Sequence, residues 1–189
     1  SRGHSVYSNN ITINNANSSG IYFINSYNAT VYDNNITTRN VKNSYGIYLT
    51  YGSSNNTLYR NRISSLAIGI LVNGSGSIGS SSRFNTFTND TIVPCSVGCA
   101  ANYKDIVLTS NATDITFTNV SFNKSRVGFV PRDVDFPTEK NNMTVMWYLT
   151  INVTNATNNA SVPNAQVFIN NSNATNIFDG ITDSIELAK

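Results

Sequence analysis

Few residues in this 189-residue chain have types that could do chemistry: two cysteines, ten carboxylates, one histidine and two methionines. Cys95 and Cys99 stand four apart beside Pro94 and Gly98. That spacing closes a tight loop as a disulfide in an oxidising compartment. The rival, a metal site, is short of ligands, because His4 is the only histidine and no third cysteine exists. Glycosidase chemistry needs two carboxylates a few ångströms apart, and calcium-assisted lyase chemistry needs several Asp ligands with a basic residue on one face. Here Asp33, Asp90, Asp105, Asp114, Asp133, Asp135, Glu139, Asp179, Asp183 and Glu186 are scattered. Met143 and Met146 without a nearby His or Cys read as core or linker residues rather than copper ligands. The expectation is no catalytic, cofactor or metal site.

The residue type that does recur is asparagine, with 32 copies. Asn-X-Ser/Thr sequons begin at Asn10, Asn17, Asn28, Asn35, Asn55, Asn73, Asn89, Asn111, Asn119, Asn123, Asn142, Asn152, Asn155, Asn159, Asn170 and Asn173. Random placement gives roughly seven, under half that number, so the excess is read as dense N-glycosylation rather than accident. Glycans place the chain outside the cell and its sequon side chains on the outside of the fold. A net charge of +2 with 12% charged residues makes no case for nucleic acid. The longest apolar run, 66–72, is far too short to span a membrane, and no signal-peptide pattern is visible.

The elements that must carry these residues are visible as a repeat. An apolar residue, an Asn three places later and an apolar residue five places on recur as Val6/Asn9/Ile11, Val31/Asn34/Ile36 and Leu58/Asn61/Ile63. The pattern decays to Phe87/Asp90/Ile92 and Phe117/Val120/Phe122. Between copies lie Gly20-Ile21-Tyr22-Phe23, Gly46-Ile47-Tyr48-Leu49, Gly69-Ile70-Leu71-Val72 and, without its glycine, Asp105-Ile106-Val107-Leu108. A fixed period of this length marks a solenoid, and the alternation within each unit marks short strands. Two or three strands in about 25 residues suit one coil of a parallel β-helix, with equivalent residues stacked at roughly 4.8 Å. Ile21, Ile47, Ile70 and Ile106 then point inward, as do Phe23, Leu49, Val72 and Leu108. Asn9, Asn34 and Asn61 form a ladder at a turn where Asn tolerates the left-handed conformation. Asp90 takes the same slot and caps the turn, and Asp33 meets Arg60 one coil on as a surface ion pair.

The alternation of Gly-Ile-Tyr-Leu with Asn-Asn-Thr-Leu-Tyr-Arg-Asn-Arg-Ile resembles the NosD-like right-handed parallel β-helix repeat of archaeal and bacterial cell-surface proteins, over roughly residues 5–122. The resemblance implies the fold and little about function, since the repeat serves lyases, epimerases, adhesins and structural proteins alike. Residues 1–125 are expected as the β-helix, with Gly/Ser-rich 73–82 and the cysteine segment as surface loops. Residues 126–145, with Pro131, Pro137 and a run of charges, read as a linker or cap. From 146, the stretches Met146-Trp147-Tyr148-Leu149-Thr150-Ile151 and Val162-Pro163-Asn164-Ala165-Gln166-Val167-Phe168-Ile169 resemble the opening of an immunoglobulin-like or carboxypeptidase-regulatory-like sandwich, incomplete over 146–189.

The fold class expected is thus all-β: a right-handed parallel β-helix with a small C-terminal sandwich-like segment. Tyr22, Tyr48, Leu71 and Val107 fall in the outward slots of one strand file, an apolar-aromatic stripe expected to be an interface. A second tyrosine column runs through Tyr7, Tyr32 and Tyr59. The functional expectation is a non-enzymatic, N-glycosylated extracellular structural protein, a subunit of a filament, sheath or surface layer assembled head to tail from copies of itself. An adhesin or carbohydrate-binding module is the alternative, and a polysaccharide lyase or hydrolase comes third. The chain reads as a piece from the middle of a longer exported precursor, with both ends completed by a neighbouring copy.

Overall fold

The computed structural model describes residues 2–74, 81–130, 140–148, 153–170 and 176–181, with backbone alone for 168–170 and 176–181. It is all-β, a parallel β-solenoid of about five turns. The first coil holds β1 (Ser5–Tyr7), β2 (Asn10–Ile13) and β3 (Ser19–Ile24). The second holds β4 (Thr30–Tyr32), β5 (Asn35–Thr38) and β6 (Tyr45–Thr50), and the third β7 (Thr57–Tyr59), β8 (Arg62–Ser65) and β9 (Ile68–Asn73). The fourth holds β10 (Thr86–Thr88), β11 (Thr91–Val93) and β12 (Lys104–Thr109). After it come β13 (Ile115–Thr118), β14 (Val127–Val130) and β15 (Met143–Met146). Corresponding strands pair in parallel, giving three sheets in the orders β1-β4-β7-β10-β13-β15, β2-β5-β8-β11 and β3-β6-β9-β12-β14.

The register is the one the repeat implies. Val6, Val31, Leu58, Phe87 and Phe117 share one slot, and Ile11, Ile36, Ile63 and Ile92 another. Ile21, Ile47, Ile70 and Ile106 align in the third sheet, followed by Phe23, Leu49, Val72 and Leu108. All of these from the second coil onward are essentially buried. Phe87 and Phe117 stack with ring centroids 4.7 Å apart. Burying each such side chain contributes about 1.5–3 kcal/mol.

Glycine is required where the third sheet begins. A Cβ on Gly46 would meet Ile63 Cγ2 of the next coil and lie 2.6 Å from the Gly69 carbonyl oxygen. On Gly69 it would lie 2.6 Å from the Asp105 carbonyl oxygen and 2.8 Å from Ile92 Cγ2. The column ends at Asp105, and one coil later the second sheet has no strand. Only a bridge from Thr91 to Ser121 remains there, followed by a 3₁₀ turn, Lys124–Arg126. The buried Asp105 carboxylate holds the chain at this point. Oδ2 accepts from Asn123 N–H at 2.6 Å and Oδ1 from the Tyr103 hydroxyl at 2.6 Å.

Two expectations change here. The stretch 126–145 is not only a linker: β14 pairs with β12, and β15 pairs with β13. Residues 143–145, expected in the linker or cap, and Met146, expected to open another segment, thus extend the solenoid, and the first compact unit reaches Trp147. The second unit, from Tyr148, contains an antiparallel pair, β16 (Gln166–Asn170) with β17 (Asn176–Ile181), and an isolated antiparallel bridge between Thr154 and Ser161. The loop residues 75–80 and the prolines Pro131 and Pro137 lie outside the described residues.

Candidate functional site

The corners decide what the surface carries. Each coil turns out of the first sheet through one left-handed residue: Ser8, Asp33, Arg60, Asn89 and Asn119, with φ between 52° and 55°. The ladder residues Asn9, Asn34, Asn61 and Asp90 follow directly and are not left-handed themselves, which corrects the expected position by one residue. The reason is direction. The left-handed residue swings the chain round the corner, and the next side chain drops inside it. Asn9 N–H and Nδ2 both donate to Asn34 Oδ1 at 3.0 Å. Asn34 does the same to Asn61 Oδ1 at 3.1 and 3.0 Å, and Asn61 to Asp90 Oδ1 at 2.6 and 2.9 Å.

A second ladder, not anticipated, occupies the corner leading into the first sheet. Asn28, Asn55, Phe84 and Asp114 are left-handed there, with φ of 56–58°. Ala29 N–H donates to Asn56 Oδ1, and Asn56 N–H and Nδ2 donate to Asn85 Oδ1. Ala29 and Ile115 fill the same slot in the outer coils, so the sequence shows only two asparagines of this column and no run.

The two ladders sort the asparagines. Asn34, Asn56, Asn61 and Asn85 are buried, and none begins a sequon. Asn10, Asn17, Asn28, Asn35, Asn55, Asn89, Asn119, Asn123, Asn142, Asn155 and Asn159 are exposed; Asn73 and Asn111 are half-buried. Asn152 and Asn173, and the side chain of Asn170, lie outside the described residues. The fold itself generates part of this pattern. A left-handed corner favours Asn and an outward strand slot favours Thr, so Asn28-Ala29-Thr30 and Asn55-Asn56-Thr57 place both on one surface. Exposed sequon side chains also pair between coils, as from Asn35 to Asn10 at 3.3 Å and Asn119 to Asn89 at 2.7 Å.

Tyrosines cover two outer faces. Tyr7, Tyr32 and Tyr59 stack at 4.9 Å spacing on the first sheet, with the Arg60 guanidinium 4.7 Å from the Tyr59 ring. On the third sheet Tyr22 stacks on Tyr48 at 5.0 Å, and Tyr45 tilts against Tyr48 at the same distance. The expected stripe continues in register through Leu71 and Val107, but both are only 7% exposed. This removes them as an interface. Alternation along a strand assigns a face but not its cover, and Leu71 lies in register between Tyr48 and Val107. The exposed part is tyrosine, with Tyr22 52% exposed. Tyr22, Tyr45 and Tyr48 line a groove of about 570 Å³ with Ile13, Asn17, Ser18, Ser19 and Asn43.

The carboxylates do not converge. Asp33 binds Arg60 through two oxygens at 2.7 and 2.8 Å, and the hydrogen bond from Arg60 holds its carboxyl below the usual range. Asp90 is inside the ladder, Asp105 is engaged by Tyr103 and Asn123, and Asp114 is exposed. Asp133, Asp135, Glu139, Asp183 and Glu186, and the side chain of Asp179, are outside the described residues. No cluster of three or more His, Cys, Asp or Glu suited to a metal ion occurs among the described residues. No helix among them is long and apolar enough to cross a membrane.

Cys95 and Cys99 form a disulfide with Cα atoms 5.9 Å apart. Cys95 N–H donates to the Tyr103 hydroxyl at 3.1 Å, which in turn donates to Asp105. Arg126 lies over the Tyr103 ring at 4.9 Å and donates to the Cys95 carbonyl at 3.4 Å. The bridged loop is therefore fastened to the point where the second sheet stops.

No protein-family model, curated protein or solved structure matches this chain.

Proposed function

We propose that this chain is a non-enzymatic, N-glycosylated structural module of an extracellular surface, of the NosD-like kind its repeats resemble, followed by an immunoglobulin-like segment. The observation that carries this reading is the sorting of asparagines. The described sequon asparagines with placed side chains offer an exposed or half-exposed amide, while no fully buried ladder asparagine begins a sequon. The disulfide agrees with an oxidising compartment. Coil-on-coil pairing is repeatable by construction, because each coil presents to the next the edge it accepted from the last. That supports head-to-tail stacking of copies in a filament, sheath or surface layer.

The test is peptide mapping of the protein secreted by a host that performs N-glycosylation, together with electron microscopy of the secreted material. The expected result is sugar on most exposed sequons, Asn28, Asn55 and Asn119 included, and regular polymers. An intact mass equal to the bare 20.6 kDa chain would overturn the glycosylation, and monodisperse single particles would overturn the assembly. A second reading, a carbohydrate-binding module, is favoured by one feature: a tyrosine-lined groove rimmed by amides and hydroxyls.

A further inference from the structure

The groove on the third sheet contains one of the sequons. Asn17, which opens Asn17-Ser18-Ser19, lines it together with Tyr22, Tyr45 and Tyr48. Asn17 is exposed and left-handed, with φ of 52°. Its Oδ1 accepts from Asn43 Nδ2 at 3.0 Å. That bond fixes the amide while leaving its own nitrogen, the atom that takes a glycan, uncommitted by it. The lining contains Tyr, Asn, Ser and Ile and no charged side chain. Tyr22 and Tyr45 hold their protons more firmly than a free tyrosine, through burial first and neighbouring tyrosines second. The surface is therefore neutral, flat over the ring faces and rich in donors and acceptors at its rim. A pyranose matches it: its C–H face is attracted to the negative face of an aromatic ring, and its hydroxyls meet amides and hydroxyls. The volume lies within the range of small-ligand sites, about 300–1,000 Å³.

We infer that the occupant of this groove is the chain's own sugar: the glycan on Asn17 folds back over Tyr22, Tyr45 and Tyr48. The inference rests on the glycosylation proposed above and adds a place for one particular glycan. It makes the tyrosine file a platform for a covalently tethered ligand, whose effective concentration needs no free sugar to reach it.

Tyrosine iodination of the glycosylated protein tests this, because Tyr22 and Tyr7 are almost equally exposed in the bare chain, at 52% and 54%, and lie on different sheets. The variant Ser19→Ala deletes the sequon without disturbing Asn17, whose left-handed backbone a substitution at that position would strain. Ser19→Thr keeps the sequon and serves as the control. The expected result is a Tyr22-to-Tyr7 labelling ratio several-fold lower in the wild-type and S19T proteins than in S19A. The same ratio in all three, with Asn17 shown to be occupied by peptide mapping in the wild-type and S19T proteins, overturns the inference and leaves the glycosylation standing. Occupied sequons elsewhere with Asn17 bare have the same effect. A chain with no sugar at all overturns both. Protection of Tyr22 in S19A by free oligosaccharide alone, with none from the tethered glycan, makes the groove a binding site for an outside ligand and also overturns it.

Discussion

A ladder makes two demands on one side chain, and Asp90 meets one of them. An amide accepts and donates at once, whereas a carboxylate only accepts. Asp90 Oδ1 takes both bonds from Asn61, but Oδ2 is buried without a partner. In the earlier coils that corner of the side chain is an Nδ2 donating to a carbonyl, Val6 from Asn34 and Val31 from Asn61. The equivalent carbonyl here belongs to Leu58. Burial pushes the Asp90 carboxyl up to about 7, against the opposing pull of the Asn61 donors and the Thr88 backbone. The folded state thus keeps a proton that the unfolded chain releases near its ordinary pKa of 3.8. Its contribution to stability is whole below about pH 4, is lost as the pH rises to about 7, and stays lost above that. A shift of about three units corresponds to about 4 kcal/mol at most. Asp90→Asn is expected to raise the melting temperature at pH 8, change it little at pH 4, and flatten the decline between them. Thermal unfolding followed by circular dichroism at pH 4, 6 and 8 checks this, and matching profiles for the two proteins would refute it. The column itself was legible, because Asn recurs with the apolar pair. Its conformation was not: the left-handed residues are Ser8, Asp33, Arg60, Asn89 and Asn119, types that share no pattern, while the tolerance of Asn for that conformation points to the recurring residue beside them.

At the scale of elements, the strands were legible from alternation and from their spacing, and their registers follow the repeat. What alternation leaves out is cover, which is why Leu71 and Val107 were misplaced. It also misses continuity across an interruption: Met143, Thr144 and Val145 read as the end of a linker or cap and Met146 as the start of another segment, although β15 simply continues the first sheet. The missing glycine at Asp105 was visible, while its effect on the next coil depends on contacts 18 residues away. The glycine column gives a direct prediction. Gly69→Ala and Gly46→Ala each force a methyl into a neighbouring coil's backbone, and each should lose about 3 kcal/mol or more. Gly98→Ala, with open space around it but a φ of +70°, should lose only about 1 kcal/mol of strain. Urea denaturation of the three variants measures the order; equal losses would contradict close nesting at the column. Around the disulfide, Tyr103→Phe leaves both the Asp105 carboxylate and Cys95 N–H short of a partner and should lose about 1–3 kcal/mol. Reduction opens a loop of few residues and should lose less; melting with and without reductant, beside the variant, compares them.

The whole molecule is held by apolar columns and amide ladders rather than by charge. The pair Asp33–Arg60 is the one salt bridge among the described residues, and it is exposed. Exposed pairs contribute little and are screened by salt. The melting temperature is therefore expected to stay nearly constant from low salt to about 1 M NaCl, apart from the small rise salting-out ions give to apolar burial. A steep fall on adding salt, seen by differential scanning calorimetry, would show that ion pairs carry more of the stability than the ladders do.

The coils are not equal in length: ladder partners lie 25, 27 and 29 residues apart, yet the strands keep one register because the extra residues collect at the corners. For the gene, the repeat has a phase set by slots rather than by a codon count. Recombination between the stretches encoding two neighbouring coils, joining the codon of Asp33 to that of Asn61, removes 27 codons. It leaves a left-handed corner followed by a ladder asparagine, as before. The product is shorter by one layer of roughly 4.8 Å, with Val6 O and Asn9 facing Asn61 in place of Asn34. Length in such a lineage changes by whole layers, each of which contacts only its neighbours.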